Sequence, residues 1–230
     1  MPRHGPPTQF VRPIQLHAGA AELHERIKSC PGGCLRRNRR ANPMLRPPGG
    51  YRFPSPIMFV LEQPNRADDQ TNHCLTLGPE DYAGGRLDQT TAALQELFTI
   101  TGLDYTKIYV INSLSCWQGG SSTPEQRLWD LCWLPCLGHG WLQSIVEACS
   151  PTVIVTFGCK ALRAVHHISG EPLRSDPIIT NEIGKPRTLG GRHVFPLIHP
   201  SPNARQTRPP DIQKRDWFAL RDFLAELALA

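Results

Sequence analysis

Three polar side chains follow strand-like apolar runs that lie far apart in the chain. Glu62 comes directly after Ile57–Leu61, Asn112 closes a second run, and His199 follows the run that ends at Ile198. In a parallel sheet, the carboxyl ends of the strands line the crevice in which ligands bind. A carboxylate, an amide and an imidazole at that edge could perform acid–base chemistry or read the edge of a heterocycle. Each of these residues alone is more often an ordinary turn residue, so the prediction of a site requires that all three lie close together in the fold.

The segments that must position these side chains alternate between strands and helices. Strands are predicted at 57–61, 107–111, 152–157 and in the run ending at Ile198, and helices at about 21–29, 88–101, 141–148, 160–167, in the last seventeen residues and after Thr123-Pro124-Glu125. Thr123 suits an N-cap and Pro124 the first helical turn. The alternation predicts an α/β fold with three layers, α/β/α, and a four-stranded, mainly parallel sheet.

Length and composition favour one domain with an anionic partner. The 230 residues, 40% of them apolar, fit a flexible N-terminus at 1–20 and a single domain at 21–230. Within that domain, residues 35–56 form an arginine-rich loop with many Pro and Gly residues. The loop and the net charge of +5 suit phosphate groups, although a solvated flexible arm has the same composition.

The sequence also indicates a compartment. It opens without the apolar core of a signal peptide, and nowhere do eighteen apolar residues run together. We therefore expect an intracellular protein, cytoplasmic or nucleoid-associated, that is not secreted, has no membrane partner and is a monomer. In that compartment, eight cysteines indicate metal ligands or buried thiols rather than disulfides.

Taken in order, these segments resemble the uracil-DNA glycosylase superfamily, and within it the iron–sulfur-containing family 4 enzymes. The first family motif, Gly-Glu-x-Pro-Gly, is similar to residues 61–65, and the second, His-Pro-Ser, to residues 199–203. Tyr109–Asn112 resembles the strand whose final Asn pairs with uracil, and Val153–Gly158 resembles the third strand of the family. The resemblance covers roughly residues 25 to 225 and implies a glycosylase-like fold.

The resemblance implies a DNA repair enzyme that flips out uracil or a related deaminated base and hydrolyses its N-glycosidic bond. Glu62 would stabilise the cationic sugar and orient a water, while His199 would donate to uracil O2 as negative charge develops there. Asn112 would read uracil N3–H and O4, and Gln63 would help to bind the base or to position the water. Because the motifs contain no lysine, we expect water as the nucleophile and no Schiff-base step.

Two residues, one in the second motif and one shortly after it, are expected to contact the DNA backbone. A hydroxyl beside a turn, that of Ser201, can reach a phosphate, and Arg205 can do so by its charge. For Arg205, a solvated surface arginine is the alternative.

The resemblance further implies a [4Fe–4S] cluster bound by Cys30, Cys34, Cys116 and Cys132. The family uses a close N-terminal pair, a cysteine past the Asn strand and another sixteen positions later, which is the separation of Cys116 and Cys132 here. Four thiolates suit either iron–sulfur or zinc. Structural zinc bound by Cys30, Cys34, Cys132 and Cys136 is the alternative, because Cys132 and Cys136 form a second pair with the spacing of Cys30 and Cys34.

Departures from the family pattern keep other functions open. Leu61 and Asn65 stand where the family has glycine, and residues 84–88 lack its stacking Phe, for which Tyr82 is a nearby substitute. One alternative is therefore an iron–sulfur nucleic-acid-binding protein on the same fold with little or no catalysis. Another is an unrelated small-molecule α/β enzyme with structural zinc.

Overall fold

The computed structural model describes residues 22–23, 25–27, 30, 53–63, 89–114, 136–173 and 176–230. In chain order, the elements are β1 (Ile57–Leu61), α1 (Gln89–Thr101), a short 3-10 helix (Tyr105–Lys107), β2 (Ile108–Asn112), α2 (Trp141–Cys149), β3 (Val153–Phe157), α3 (Cys159–Ile168), α4 (Ile179–Glu182), β4 (Arg187–Leu189), β5 (Arg192–Leu197), α5 (Pro202–Thr207) and α6 (Pro210–Glu226). Residues 22–23, 25–27 and 136–138 are also helical.

The strands form one sheet in the order β2-β1-β3-β5-β4. β2, β1, β3 and β5 are parallel to one another, and β4 runs antiparallel to β5. β1, β2 and β3 are buried along their whole length. Continuous apolar runs of this kind are typical of parallel strands that are covered on both faces. The α/β prediction is thus confirmed.

A fifth strand extends the four-stranded sheet that the sequence predicted. β4 has three residues, of which only Leu189 is buried, so it carries almost no apolar pattern. The turn Gly190–Gly191 joins it to β5, and both glycines have positive φ, at +54° and +77°. Two glycines in such a turn are a hairpin signal, which the apolar runs alone did not reveal.

Each face of the sheet is covered by helices, which gives the three layers. The first core cluster joins one face to α2, α3 and the N-terminal helical residues Leu23 and Ile27. The second core cluster joins the other face to α1 and α6. At its centre the Trp217 ring packs against Phe98, with ring centroids 5.3 Å apart, and against Phe59 at 5.9 Å. Within the described ranges, no helix is long and apolar enough to cross a membrane.

Several predicted segments lie outside the described residues. They include the whole of the proposed N-terminus at 1–20, residues 35–52 of the basic loop, and the Thr123-Pro124-Glu125 helix start. Residues 53–56 are described, and they lead directly into β1. Phe53 lies in the first core cluster, with its ring edge against Tyr109 at a centroid distance of 5.2 Å.

Candidate active site

The four parallel strands end at one edge of the sheet, and the predicted site residues lie there. Asn112 is the last residue of β2, Glu62 follows β1, and His199 is the second residue after β5. The register pairs Leu61 with Asn112 across β1 and β2. Since neighbouring strands are about 4.8 Å apart, the edge from β2 to β5 spans about 14 Å, enough for a nucleoside. The fold therefore brings the carboxyl, amide and imidazole groups to the same edge.

Hydrogen bonds between the β1 and β2 ends fix the backbone at Glu62. The Ser113 N–H donates to the Leu61 carbonyl oxygen at 2.8 Å, and the Leu114 N–H donates to the Glu62 carbonyl oxygen at 3.1 Å. The Ser113 hydroxyl also donates to the Glu62 carbonyl oxygen, at 2.7 Å. Because these donors directly follow Asn112, the positions of Glu62 and Asn112 are set together.

The Glu62 carboxyl lies against Gly158, the residue between β3 and α3. A Cβ atom on Gly158 would lie 2.6 Å from Glu62 Oε1, and the φ of Gly158 is +93°. Only glycine fits here, because a side chain would both displace the carboxyl and strain the backbone. The backbone N–H of Lys160 donates to the carboxyl from the first turn of α3. Free N–H groups at a helix start favour a negative charge.

Burial and nearby charges act in opposite directions on Glu62. Burial raises its pKa most, while the Lys160 ammonium charge and the Lys160 N–H lower it. The Asp176 carboxylate raises the pKa as well, and the net result lies above the ordinary value. A carboxylate with a raised pKa is a stronger base than an ordinary glutamate, which suits it to accept a proton from water, and in its ionised form it can stabilise positive charge.

The other predicted site residues differ in how far they are enclosed. Asn112 is buried, while Gln63 and His199 are half-buried. The Gln63 side-chain oxygen is buried and has no hydrogen-bond partner among the described residues. It is an acceptor at the sheet edge that a water or ligand could satisfy.

The helix α5 begins three residues after His199. Ser201 is the N-cap of α5, and its hydroxyl makes no capping hydrogen bond. Arg205 is exposed on α5. An ion pair between Arg208 and Asp216 ties the end of α5 to α6. Ser201 and Arg205 are therefore presented from a helix that is fixed to the body of the protein.

A family model of the uracil DNA glycosylase superfamily matches residues 48–224. The chain belongs to this superfamily. The match includes every described element from β1 to β5 and the site residues at their ends, but it does not specify family 4. Superfamily members are N-glycosylase hydrolases that act on DNA, and membership indicates DNA glycosylase activity. A search of curated proteins gave no match to this chain.

Only part of the ligand set implied by the family 4 resemblance can be located. Cys30 is half-buried, and its N–H donates to the Ile27 carbonyl oxygen at 2.9 Å. Cys34, Cys116 and Cys132 lie outside the described residues. Among the residues that are described, no three His, Cys, Asp or Glu side chains form a group that could hold a metal ion.

The segments next to these cysteines nevertheless meet on one side of the sheet. Ile27, Leu114 and Leu137 belong to the first core cluster, and half-buried Cys136 packs against it. Leu114 precedes Cys116 by two residues. The Arg26 guanidinium also lies 6.0 Å from the centre of the Trp141 ring. Described residues that flank the proposed ligands in the sequence therefore lie on the same side of the sheet.

The first turn of α3 also belongs to the site, although no apolar run or family motif marks it in the sequence. Cys159 and Lys160 follow Gly158 there, and Asp176 approaches from the connection to α4. The motifs contain no lysine, but the fold brings Lys160 beside Glu62. A glycine between a buried strand and a helix was the available signal, since this is where a parallel sheet places its ligand-binding turns.

Proposed function

We propose that the protein is a monofunctional DNA glycosylase that removes uracil, or a related deaminated base, with water as the nucleophile. The observation that best supports this proposal is the partly enclosed Glu62 carboxyl at the same sheet edge as Asn112 and His199. A stacked base hides its glycosidic bond, so the nucleotide must flip into a pocket at this edge.

Asn112 is proposed to select the base. An amide can accept from uracil N3–H and donate to uracil O4, whereas cytosine presents the opposite pattern. Because Asn112 is buried, a mismatched base would leave the amide without partners in a water-poor place. A buried amide therefore discriminates more strongly than an exposed one.

Glu62 and His199 are proposed to act on the two charges that develop during cleavage. The sugar becomes cationic, and an ionised Glu62 would stabilise it and orient water towards C1′. The departing base becomes anionic, and His199 would donate to its O2. Gln63 would bind the base or hold the water, a role that its unpartnered oxygen suits. Preorganised charges of this kind account for much of the rate enhancement in many enzymes.

Binding of the DNA backbone is proposed for Ser201 and Arg205. The Ser201 hydroxyl makes no capping hydrogen bond, and the Arg205 side chain is exposed. Both follow His199 closely, so phosphate contacts there would place the flipped nucleotide beside the imidazole.

We further propose that the protein is closest to family 4 and carries a [4Fe–4S] cluster bound by Cys30, Cys34, Cys116 and Cys132. The packing of the flanking segments in one core cluster supports this ligand set. The cluster would supply structural cross-linking between distant parts of the chain, and no redox step is assigned to it. Zinc bound by Cys30, Cys34, Cys132 and Cys136 stays the alternative.

A DNA-binding protein without catalysis has less support. Leu61 replaces a family glycine, but its side chain is buried in the second core cluster and does not fill the site. The change at that position is therefore compatible with the proposed chemistry. No observation on the described residues favours the small-molecule enzyme.

The test uses purified protein and oligonucleotides that carry one deoxyuridine, hypoxanthine or xanthine, single-stranded and in duplex. We expect abasic sites, seen as strand breaks after alkali, from at least one base. Glu62→Gln and His199→Ala should each remove this product while retaining bound metal. No product from any of the three bases would contradict the proposal. Strand breaks without alkali would show a lyase step and contradict water as the sole nucleophile.

A further inference from the structure

The first turn of α3 encloses the Glu62 carboxyl. Gly158 leaves only enough space for Oε1, since an added Cβ would lie 2.6 Å from that atom. Directly after it, the Lys160 backbone N–H donates to the carboxyl. The contact and the hydrogen bond together hold the side chain in place next to the helix start.

Two side chains of opposite charge, Lys160 and Asp176, lie near enough to the same carboxyl to interact with it electrostatically. Lys160 follows Gly158 by two residues, and Asp176 comes from the connection between α3 and α4. Asp176 is itself held by α3, because Arg163 pairs with it at 3.1 Å. Lys160 and Arg163 are three residues apart and share one face of the helix. The Arg163 and Asp176 side chains are only 14% and 18% exposed, so water screens this group poorly.

We propose that Lys160 and Asp176 are positioning residues that act through Glu62 in opposite directions. Lys160 favours the carboxylate that the cationic sugar requires, and Asp176 limits how strongly that carboxylate is favoured. The Cys159 thiol, in the same helical turn, stays neutral because burial, Glu62 and Asp176 all raise its pKa. This inference rests on the proposed role of Glu62.

The sign of each effect follows from electrostatics. If activity needs ionised Glu62, the rate falls as the pH drops through the Glu62 pKa. Without the Lys160 charge the carboxylate is less stable, so this acidic limb moves to higher pH. Without the Asp176 charge the carboxylate is more stable, and the limb moves to lower pH. Loss of the Asp176 charge also releases the Arg163 guanidinium, whose positive charge stabilises the carboxylate and moves the limb to lower pH as well.

The experiment measures single-turnover rates on deoxyuridine DNA against pH, with enzyme in excess. At the wild-type midpoint of the acidic limb, we expect Lys160→Met to lower the rate about two- to threefold and Asp176→Asn to raise it by up to about twofold. Lys160→Arg keeps the charge and should restore the wild-type limb. Lys185→Met removes an exposed lysine charge and should leave the limb in place, which separates the local effect from a change in net charge.

A second measurement does not depend on activity. Titration of the ¹³C-labelled Glu62 carboxyl by NMR, assigned by its loss in Glu62→Gln, should give midpoints displaced in opposite directions in Lys160→Met and Asp176→Asn. Midpoints that move together, or not at all, would overturn the inference even in an active glycosylase. Opposite displacements in a protein without activity would support the positioning of Glu62 while contradicting the proposed function.

Discussion

Asn112 is the most enclosed of the three principal site residues, with 5% of its surface exposed. We expect Asn112→Ala to lower the single-turnover rate on deoxyuridine DNA about 10²-fold, because a specific hydrogen-bonding group is lost at the base. Asn181→Ala removes an exposed amide on α4 and is the matched control. Thermal unfolding of both variants shows whether the fold persists. A rate within about twofold of wild type would mean that Asn112 does not read the base.

The site residues that the sequence predicts are those at the ends of apolar runs. Glu62, Asn112 and His199 each end or follow an apolar run, so the rule for parallel sheets places them at one edge. Lys160 and Asp176 carry no such mark, because their closeness to Glu62 depends on where α3 begins and how the chain returns after it. The need for glycine at residue 158 likewise arises from a contact with a residue ninety-six positions earlier in the sequence.

At the scale of elements, an ion pair between Arg208 and Asp216 holds α5 against α6. Arg208 and Asp216 have side chains 22% and 11% exposed, and the Gln213 side chain donates to the Arg208 carbonyl oxygen at 2.8 Å. We expect Arg208→Met to lower the free energy of unfolding by about 1.5–3 kcal/mol, the range for hydrogen bonds to charged groups. Because α5 carries Arg205, the dissociation constant for DNA should also rise.

Arg221→Met is the control for that variant. Arg221 lies on α6 and carries the same charge as Arg208. It pairs with Asp222, but the two side chains are 41% and 61% exposed, so this pair contributes little to stability. Denaturant unfolding and DNA titration at one salt concentration compare the two variants. If both variants change DNA binding equally, net charge and not the position of α5 explains the effect.

Elements with a strong pattern were predicted within a few residues. The helix predicted at 88–101 is found at Gln89–Thr101, and the one predicted at 160–167 is found at Cys159–Ile168. The C-terminal helix begins at Pro210, four residues before the predicted segment, because a proline is tolerated in a first helical turn. Strand β4 was not predicted because it is short and only its last residue is buried. Its pairing with β5 depends on the turn between them rather than on an apolar run.

At the scale of the whole molecule, the layered architecture followed from the alternation of strands and helices, since each face of a parallel sheet must be covered. The sequence did not reveal which segments meet on each face. Leu23 and Leu137 are more than one hundred positions apart, yet both lie in the first core cluster. Sequence spacing alone likewise left open which cysteines would bind a metal, because it does not show which distant segments share a face.

The two metal hypotheses differ at one cysteine each, so single substitutions distinguish them. Cys116 belongs only to the iron–sulfur set, and Cys136 only to the zinc set. We expect Cys116→Ser to lose iron and visible absorbance and to unfold at a lower temperature, because thiolates bind the cluster. Cys136→Ser should retain both iron and colour.

Cys149→Ala is the control that should keep the metal under either hypothesis. Its thiol is buried in α2, where burial raises its pKa to about 11 and the Ser55 N–H donates to its sulfur at 3.4 Å. A thiol with that pKa is a poor metal ligand, since the thiolate is the binding form. Iron and zinc contents, measured on all three variants, decide the matter. A colourless zinc protein that loses its metal in Cys136→Ser and keeps it in Cys116→Ser would replace the cluster with a structural zinc site and remove the strongest link to family 4.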